Sequence, residues 1–178
     1  DGDPAGYAKR LGCSYVALMN GLGVQTHMQR GIDLGLQVYL YSTPETWHPE
    51  NWADTFSIQL DRVVEMNAAG LIADIEDAPV WVGRLDDVQA VGEALAYAAK
   101  HVSVGFTSFP SWPYYEELAA LAAPAGVWGS PQLYGVRDPG QPAKVAARGA
   151  SWKRAFGAAR YAPSIAAWSR AARDQAVY

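Results

Sequence analysis

Short apolar runs alternate along this chain with segments of helical period, and a glycine or a proline marks most of the joints. Asp3-Pro4 reads as a helix cap followed by a first-turn proline, and Gly12 closes that helix. An apolar strand over 14–20 comes next, then the loop Asn20-Gly21-Leu22-Gly23 and a second helix ending at Gly35. The strand 36–43 stops at Pro44, and the helix-spaced segment 51–69 (Trp52, Phe56, Leu60, Val63, Val64) delivers the chain to Gly70. Beyond an acidic strand starting there, helices are expected over 86–100, 114–123 and 144–159, with strands over 102–109, 127–134 and 162–168. No Asn-Gly type of hairpin joins two strands directly.

Strands that alternate with helices require crossover connections, and right-handed crossovers build a parallel sheet. A doubly wound sheet and a (β/α) barrel both satisfy that pattern. Polar residues at the C-terminal ends of the strands (Asn20, Ser42, Glu76, Ser108 and Gln132) favour the barrel, which gathers those ends into one mouth. No Gly-x-Gly-x-x-Gly turn comes after the first strand, against a dinucleotide-binding sheet. The expected fold is therefore α/β, a reduced TIM-like (β/α) barrel of about six parallel strands occupying residues 1–178 as one domain. A full eight-stranded barrel takes about 250 residues. Either strands have been lost, or the chain belongs to a longer protein.

Gly70-Leu71-Ile72-Ala73-Asp74-Ile75-Glu76-Asp77 places acidic residues at the end of an apolar run. The period of two sends Ile72, Asp74 and Glu76 to one face and Leu71, Ala73 and Ile75 to the other. Two strand residues span roughly 6.6–7 Å, which brings both carboxyl groups within reach of one glycosidic bond. Buried carboxylates are costly unless paired, so packing alone does not ask for this arrangement. The plain alternative is that acidic residues end a strand and Asp77 caps the next segment of the chain.

Half of the 178 residues are hydrophobic, enough for a substantial core. A net charge of −4 with scattered Lys and Arg leaves no footprint for nucleic acid, and no basic run marks a membrane surface. No apolar run is long enough to span a bilayer. The single Cys13 opens an apolar run and is expected to be a small buried hydrophobe. His27, His48 and His101 lack ligand spacing, so no metal or other cofactor is expected, although His48 comes after the third strand expected for the barrel. A metal-dependent deacetylase on the same scaffold would need such a cluster. Seven tryptophans are many for this length, and aromatic planes are natural platforms for the apolar faces of sugars.

Asp74-Ile75-Glu76, Val104-Gly105-Phe106-Thr107-Ser108-Phe109-Pro110-Ser111-Trp112 and Val127-Trp128-Gly129-Ser130-Pro131-Gln132-Leu133-Tyr134-Gly135 together carry a family resemblance. Tyr15-Val16-Ala17-Leu18-Met19-Asn20-Gly21 and Gln37-Val38-Tyr39-Leu40-Tyr41 extend it upstream. In this order the chain resembles the family-25 glycoside hydrolases, the muramidase-type lysozymes of bacteria and phages, whose Asp-x-Glu lies on the fourth barrel strand. It departs from them at both ends: a helix stands where the family has an Asp-bearing first strand, and no acidic closing strand comes after Trp168.

The resemblance implies a polysaccharide partner, a β-linked N-acetylated polymer of the peptidoglycan type, and an extracellular or virion-associated setting. Glu76 would be the general acid, its pKa raised by the neighbouring carboxylate and apolar surroundings. Asp74 would stay ionised and stabilise the oxocarbenium-like centre or orient an acetamido group, and substrate-assisted cleavage needs no protein nucleophile. Tyr134, Gln132, Tyr41, Trp112 and Asp77 are the expected substrate-binding groups, with Trp128 either a platform or core. The competing expectation is a catalytically inactive barrel that binds carbohydrate or serves as a structural module beside other subunits in a phage tail or cell-surface assembly.

Overall fold

The computed structural model describes residues 3–19, 24–42, 52–75, 85–108, 113–132 and 142–163. Through them run α1 (Pro4–Arg10), β1 (Tyr15–Met19), α2 (Val24–Asp33), β2 (Gln37–Ser42), α3 (Trp52–Glu65) and β3 (Gly70–Asp74). Then come α4 (Leu85–Ala98), β4 (Ser103–Thr107), α5 (Tyr115–Ala122), β5 (Trp128–Gly129) and α6 (Pro142–Phe156). The five strands form one sheet in chain order, and every pairing is parallel. The expected α/β, reduced barrel-like architecture is the one observed.

Local chemistry explains the joints. The Asp3 carboxylate accepts from the Gly6 amide at 2.9 Å and pairs with Arg30 at 3.2 Å, so one residue caps α1 and ties it to α2. The Gly6 amide, and after it the Arg30 guanidinium, hold the Asp3 carboxyl below its ordinary range. Gly35 leaves α2 at φ +70°, the left-handed geometry that lets the chain turn into β2.

Register sorts the strand residues onto two faces. Leu40, Leu71 and Val104 are neighbours across the sheet, as are Ala73 and Phe106. They meet the helices, joining Met28, Val63, Val91, Leu95, Leu118 and Trp152 in one core. Trp152 is fully buried, stacked on Phe106 at 5.3 Å and Tyr115 at 5.1 Å between ring centroids. This layer is an ordinary helix-on-sheet core.

The other face is lined by Tyr15, Tyr39, Ile72, Asp74, Gly105, Thr107 and Trp128. Tyr15 of β1 lies edge-on to Trp128 of β5 at 5.4 Å, and Tyr39 of β2 meets both rings at 5.8 and 5.4 Å. The Tyr15 hydroxyl also shares a hydrogen bond with Ser130 Oγ at 3.2 Å and donates to the Ala162 carbonyl at 3.3 Å. In a flat sheet β1 and β5 would lie about 19 Å apart, four strand spacings. Contact between their side chains therefore requires the sheet to curl, with these rings filling the N-terminal end of its concave interior. Gly105 makes the room: a Cβ there would sit 2.6 Å from the Trp128 ring.

Several expected boundaries move. β3 ends at Asp74 and β4 at Thr107, each shorter than its apolar run. β5 covers only Trp128–Gly129, although the Ser130 and Gln132 amides continue the ladder onto the Phe106 and Ser108 carbonyls at 2.8 and 3.0 Å. Just before the expected sixth strand, 162–168, Tyr161 makes a parallel bridge to Gly129; within it the Ala162 amide donates to the Gly129 carbonyl at 3.0 Å, and 164–168 lie outside the described residues. Cys13 is half-buried, not buried, because it sits in the turn before β1; what burial it has pushes its thiol up.

Gly105→Ala should cost about 1–3 kcal/mol through overpacking against Trp128. Urea denaturation monitored by tryptophan fluorescence measures it, and an unchanged midpoint would mean the ring is not seated on β4.

Candidate active site

Asp74 is the last residue of β3, Tyr41 stands near the end of β2, and Gln132 lies just past β5. Because the strands are parallel, all three occupy C-terminal strand ends, where a curled sheet converges. The Gln132 amide nitrogen donates to Asp74 Oδ1 at 2.8 Å and to the Tyr41 hydroxyl at 3.3 Å. An ionised carboxylate only accepts, so the amide must turn its NH2 group toward Asp74, and its two protons serve the two partners. Asp74 and Gln132 are both buried, at 6% and 3% exposure, while Tyr41 is half-buried. A carboxylate that deep is tolerable when it is hydrogen-bonded.

These bonds cross the sheet interior. The Asp74–Gln132 contact passes over β4, and the Tyr41–Gln132 contact spans from β2 to the end of β5. The sequence separations, 58 and 91 residues, show how much of the fold must form before the trio exists. Chemically, the trio fixes one buried carboxylate beside two polar side chains at the strand ends. Such a group can accept a proton-bearing substrate group or stabilise nearby positive charge.

Of the residues singled out in the sequence, the structure brings together Asp74, Gln132 and Tyr41. Glu76, Asp77, Trp112 and Tyr134 lie outside the described residues, as do Asn20 and His48. Trp128 belongs to the interior filling at the far end of the strands, where its Nε1 donates to Ser103 Oγ at 3.3 Å. His27 is on α2, and His101 lies between α4 and β4 with its ring 5.0 Å from Tyr97. Among the described residues no three His, Cys, Asp or Glu side chains gather as metal ligands would.

Thr107 does not stand out in the sequence. In the fold it pairs with Asp74 in register and shares the interior face, and its hydroxyl is buried without a hydrogen-bond partner among the described residues. Alternation along Val104-Gly105-Phe106-Thr107 held the signal, since Gly105 and Thr107 fall on one side.

Gln132→Leu should destabilise the fold by about 1.5–3 kcal/mol, because a buried carboxylate loses a donor. In a double-mutant cycle with Asp74→Leu, the double variant should lose less than the two single losses added. Chemical denaturation of the four proteins checks this, and strict additivity would remove the pair.

No protein-family model matches the sequence, and no curated protein sequence matches it. Solved structures do resemble the fold. An endo-beta-N-acetylglucosaminidase from Cordyceps militaris in apo form superposes with a TM-score of 0.58 at 14% identity, over 85% of this chain and 56% of that one. A variant of that enzyme carries an Asp→Asn and a Glu→Gln substitution two positions apart and is in complex with fucosyl-N-acetylglucosamine-Asn. It gives 0.52 at 14% identity, over 78% of this chain and 49% of that chain. A sugar phosphate isomerase/epimerase from Parabacteroides distasonis ATCC 8503 gives 0.56 at 12% identity, over 97% and 86%. This chain thus spans about half the length of the glycosidase. At these identities the likeness is one of fold: the chain has the TIM-barrel-like architecture on which a glycosidase and a sugar isomerase are also built.

Proposed function

We propose that this chain is a glycoside hydrolase-like domain acting on an N-acetylated polysaccharide, with the peptidoglycan type as the first candidate. The observation that carries the reading is the buried Asp74 carboxylate, fixed by Gln132 at the C-terminal mouth of the curled sheet. Barrel enzymes keep their chemistry at that mouth. The glycosidase of similar fold has been captured with an N-acetylglucosamine ligand when an Asp and a Glu two positions apart are both changed to amides. Asp74 and Glu76 have that spacing.

In this reading Glu76 protonates the leaving oxygen. Asp74 remains ionised, held by the Gln132 amide, and either stabilises the oxocarbenium-like centre or orients the substrate's acetamido group. Tyr41 and Gln132 supply hydrogen-bonding groups beside Asp74, and Tyr134, Trp112 and Asp77 are the further substrate-binding groups of this reading. The chemistry proceeds without a metal or other cofactor, on a cell-wall or extracellular glycan.

A second reading comes from length. This chain covers 56% of the glycosidase, and the second reading takes the acidic groups present here as too few for cleavage. The domain would then bind saccharide without cleaving it, as a module of a phage tail or cell-surface assembly.

Release of reducing ends from peptidoglycan and from N-acetylglucosamine oligomers tests both readings. Glu76→Gln should reduce release by about 10²–10⁴-fold with the fold intact, and Asp74→Asn should reduce it as well. Undiminished release in Glu76→Gln would remove that residue as the acid. No release from wild type, with saccharide still bound in calorimetry, would establish the binding module.

A further inference from the structure

We infer that the Tyr15 hydroxyl is a positioning group of the saccharide site: by pinning Ser130 to the segment beside β5, it sets where Gln132 meets Asp74. This role rests on the saccharide-site reading and goes beyond it by assigning a residue of β1 that stands outside the site.

β5 ends at Gly129, so the place of Gln132 is decided by what holds residues 130–132. On one edge the Ser130 and Gln132 amides donate to the Phe106 and Ser108 carbonyls of β4 and its extension, at 2.8 and 3.0 Å. The residue between them, Pro131, faces the other edge, where it has no amide to donate. Beside that edge runs 161–163, joined to β5 by the Ala162 amide on the Gly129 carbonyl at 3.0 Å. The Tyr15 hydroxyl ties the two together one step further on. It donates to the Ala162 carbonyl at 3.3 Å and shares a hydrogen bond with Ser130 Oγ at 3.2 Å. A phenol has one proton, so the hydroxyl that donates to Ala162 accepts from Ser130.

Alternation along the chain carries this constraint to the site. Gly129 faces Phe156 on the helix side, which puts Trp128, Ser130 and Gln132 together on the interior face. Only Pro131 separates Ser130 from Gln132, and its ring fixes φ at about −65°. A shift of Ser130 therefore passes to Gln132 with little slack. The Gln132 amide has to arrive at Asp74 Oδ1, 2.8 Å away, and at the Tyr41 hydroxyl, 3.3 Å away, and such bonds weaken steeply with misalignment. Tyr39 supplies the contrast. Its ring packs in the same interior cluster, but its hydroxyl bonds Ser103 Oγ at the start of β4, at 3.1 Å.

Two measurements on wild type, Tyr15→Phe, Ser130→Ala and Tyr39→Phe test this role: exchange of the Gln132 side-chain amide protons with water by NMR, and calorimetric titration with the N-acetylglucosamine tetramer. Tyr15→Phe keeps the ring against Trp128 and removes only the hydroxyl. It should speed the exchange and weaken the tetramer, each about three- to tenfold, the scale of one neutral hydrogen bond. Ser130→Ala, which removes the same bond from its other end, should do likewise. Tyr39→Phe also loses an interior hydrogen bond, yet both readouts should stay within about twofold of wild type. Wild-type exchange or wild-type affinity in Tyr15→Phe or Ser130→Ala would overturn the role of Tyr15 and leave the site reading standing. Equal effects in Tyr39→Phe would also overturn it, pointing to general loosening of the interior. A wild type that binds no tetramer would overturn the saccharide reading, and the role of Tyr15 in that site with it.

Discussion

The curl of the parallel sheet is the constraint on which everything else in this molecule depends. It is held from inside, by Tyr15 of β1 reaching Trp128 and Ser130 across three intervening strands. Small residues make that possible. Gly105 leaves space for the Trp128 indole, and the absence of a side chain at Gly70 lets Tyr39 lie over the strand. The hydroxyls and indole of this filling are then tied down by Ser103, which bonds both Tyr39 and Trp128. On the convex side, Trp152 and Phe156 press the sheet from outside, the latter occupying the space that a side chain at Gly129 would need. Ring packing inside and helix packing outside thus fix the same curvature.

The candidate site is a consequence of that curvature. A flat sheet would hold Tyr41, Asp74 and Gln132 on separate strands, too far apart to share protons. Curled, it sets them around one buried amide. The apolar filling occupies the N-terminal half of the interior and leaves the C-terminal half polar. The division runs along single strands: Ile72 lies deep and Asp74 one pleat nearer the mouth on β3, as Gly105 and Thr107 do on β4. A deep carboxylate with a fixed donor is an expensive feature for a structural element to carry, which is why its function is sought in chemistry or recognition.

Much of this could be read from the sequence because two periodicities act locally. Apolar alternation set Ile72 and Asp74 on one face and Leu71, Ala73 and Ile75 on the other, as the register confirms. Crossover helices dictated parallel strands, and parallel strands put Asp74, Tyr41 and Gln132 at the same end. Three-dimensional closeness was not legible in the same way. That Tyr15 meets Trp128 depends on how far the sheet curls, and this is set by the sum of contacts with Gly105, Ser130 and Ala162. Thr107 escapes notice because its meaning lies in its neighbour across the strand pair; within its own segment it is a β-branched residue where one is expected. Strand ends are overestimated for a related reason. An apolar residue such as Ile75 can be buried just beyond the end of its strand, so hydrophobicity outruns the ladder.

The central claim is that the strand-end site around Asp74 receives an N-acetylated sugar. A crystal structure of the Glu76→Gln chain grown with the N-acetylglucosamine tetramer tests it most directly. The account predicts a sugar at the C-terminal mouth with its acetamido group or a ring hydroxyl within hydrogen-bond distance of Asp74. A tetramer bound elsewhere on the surface, or no tetramer bound at saturating saccharide, would contradict it.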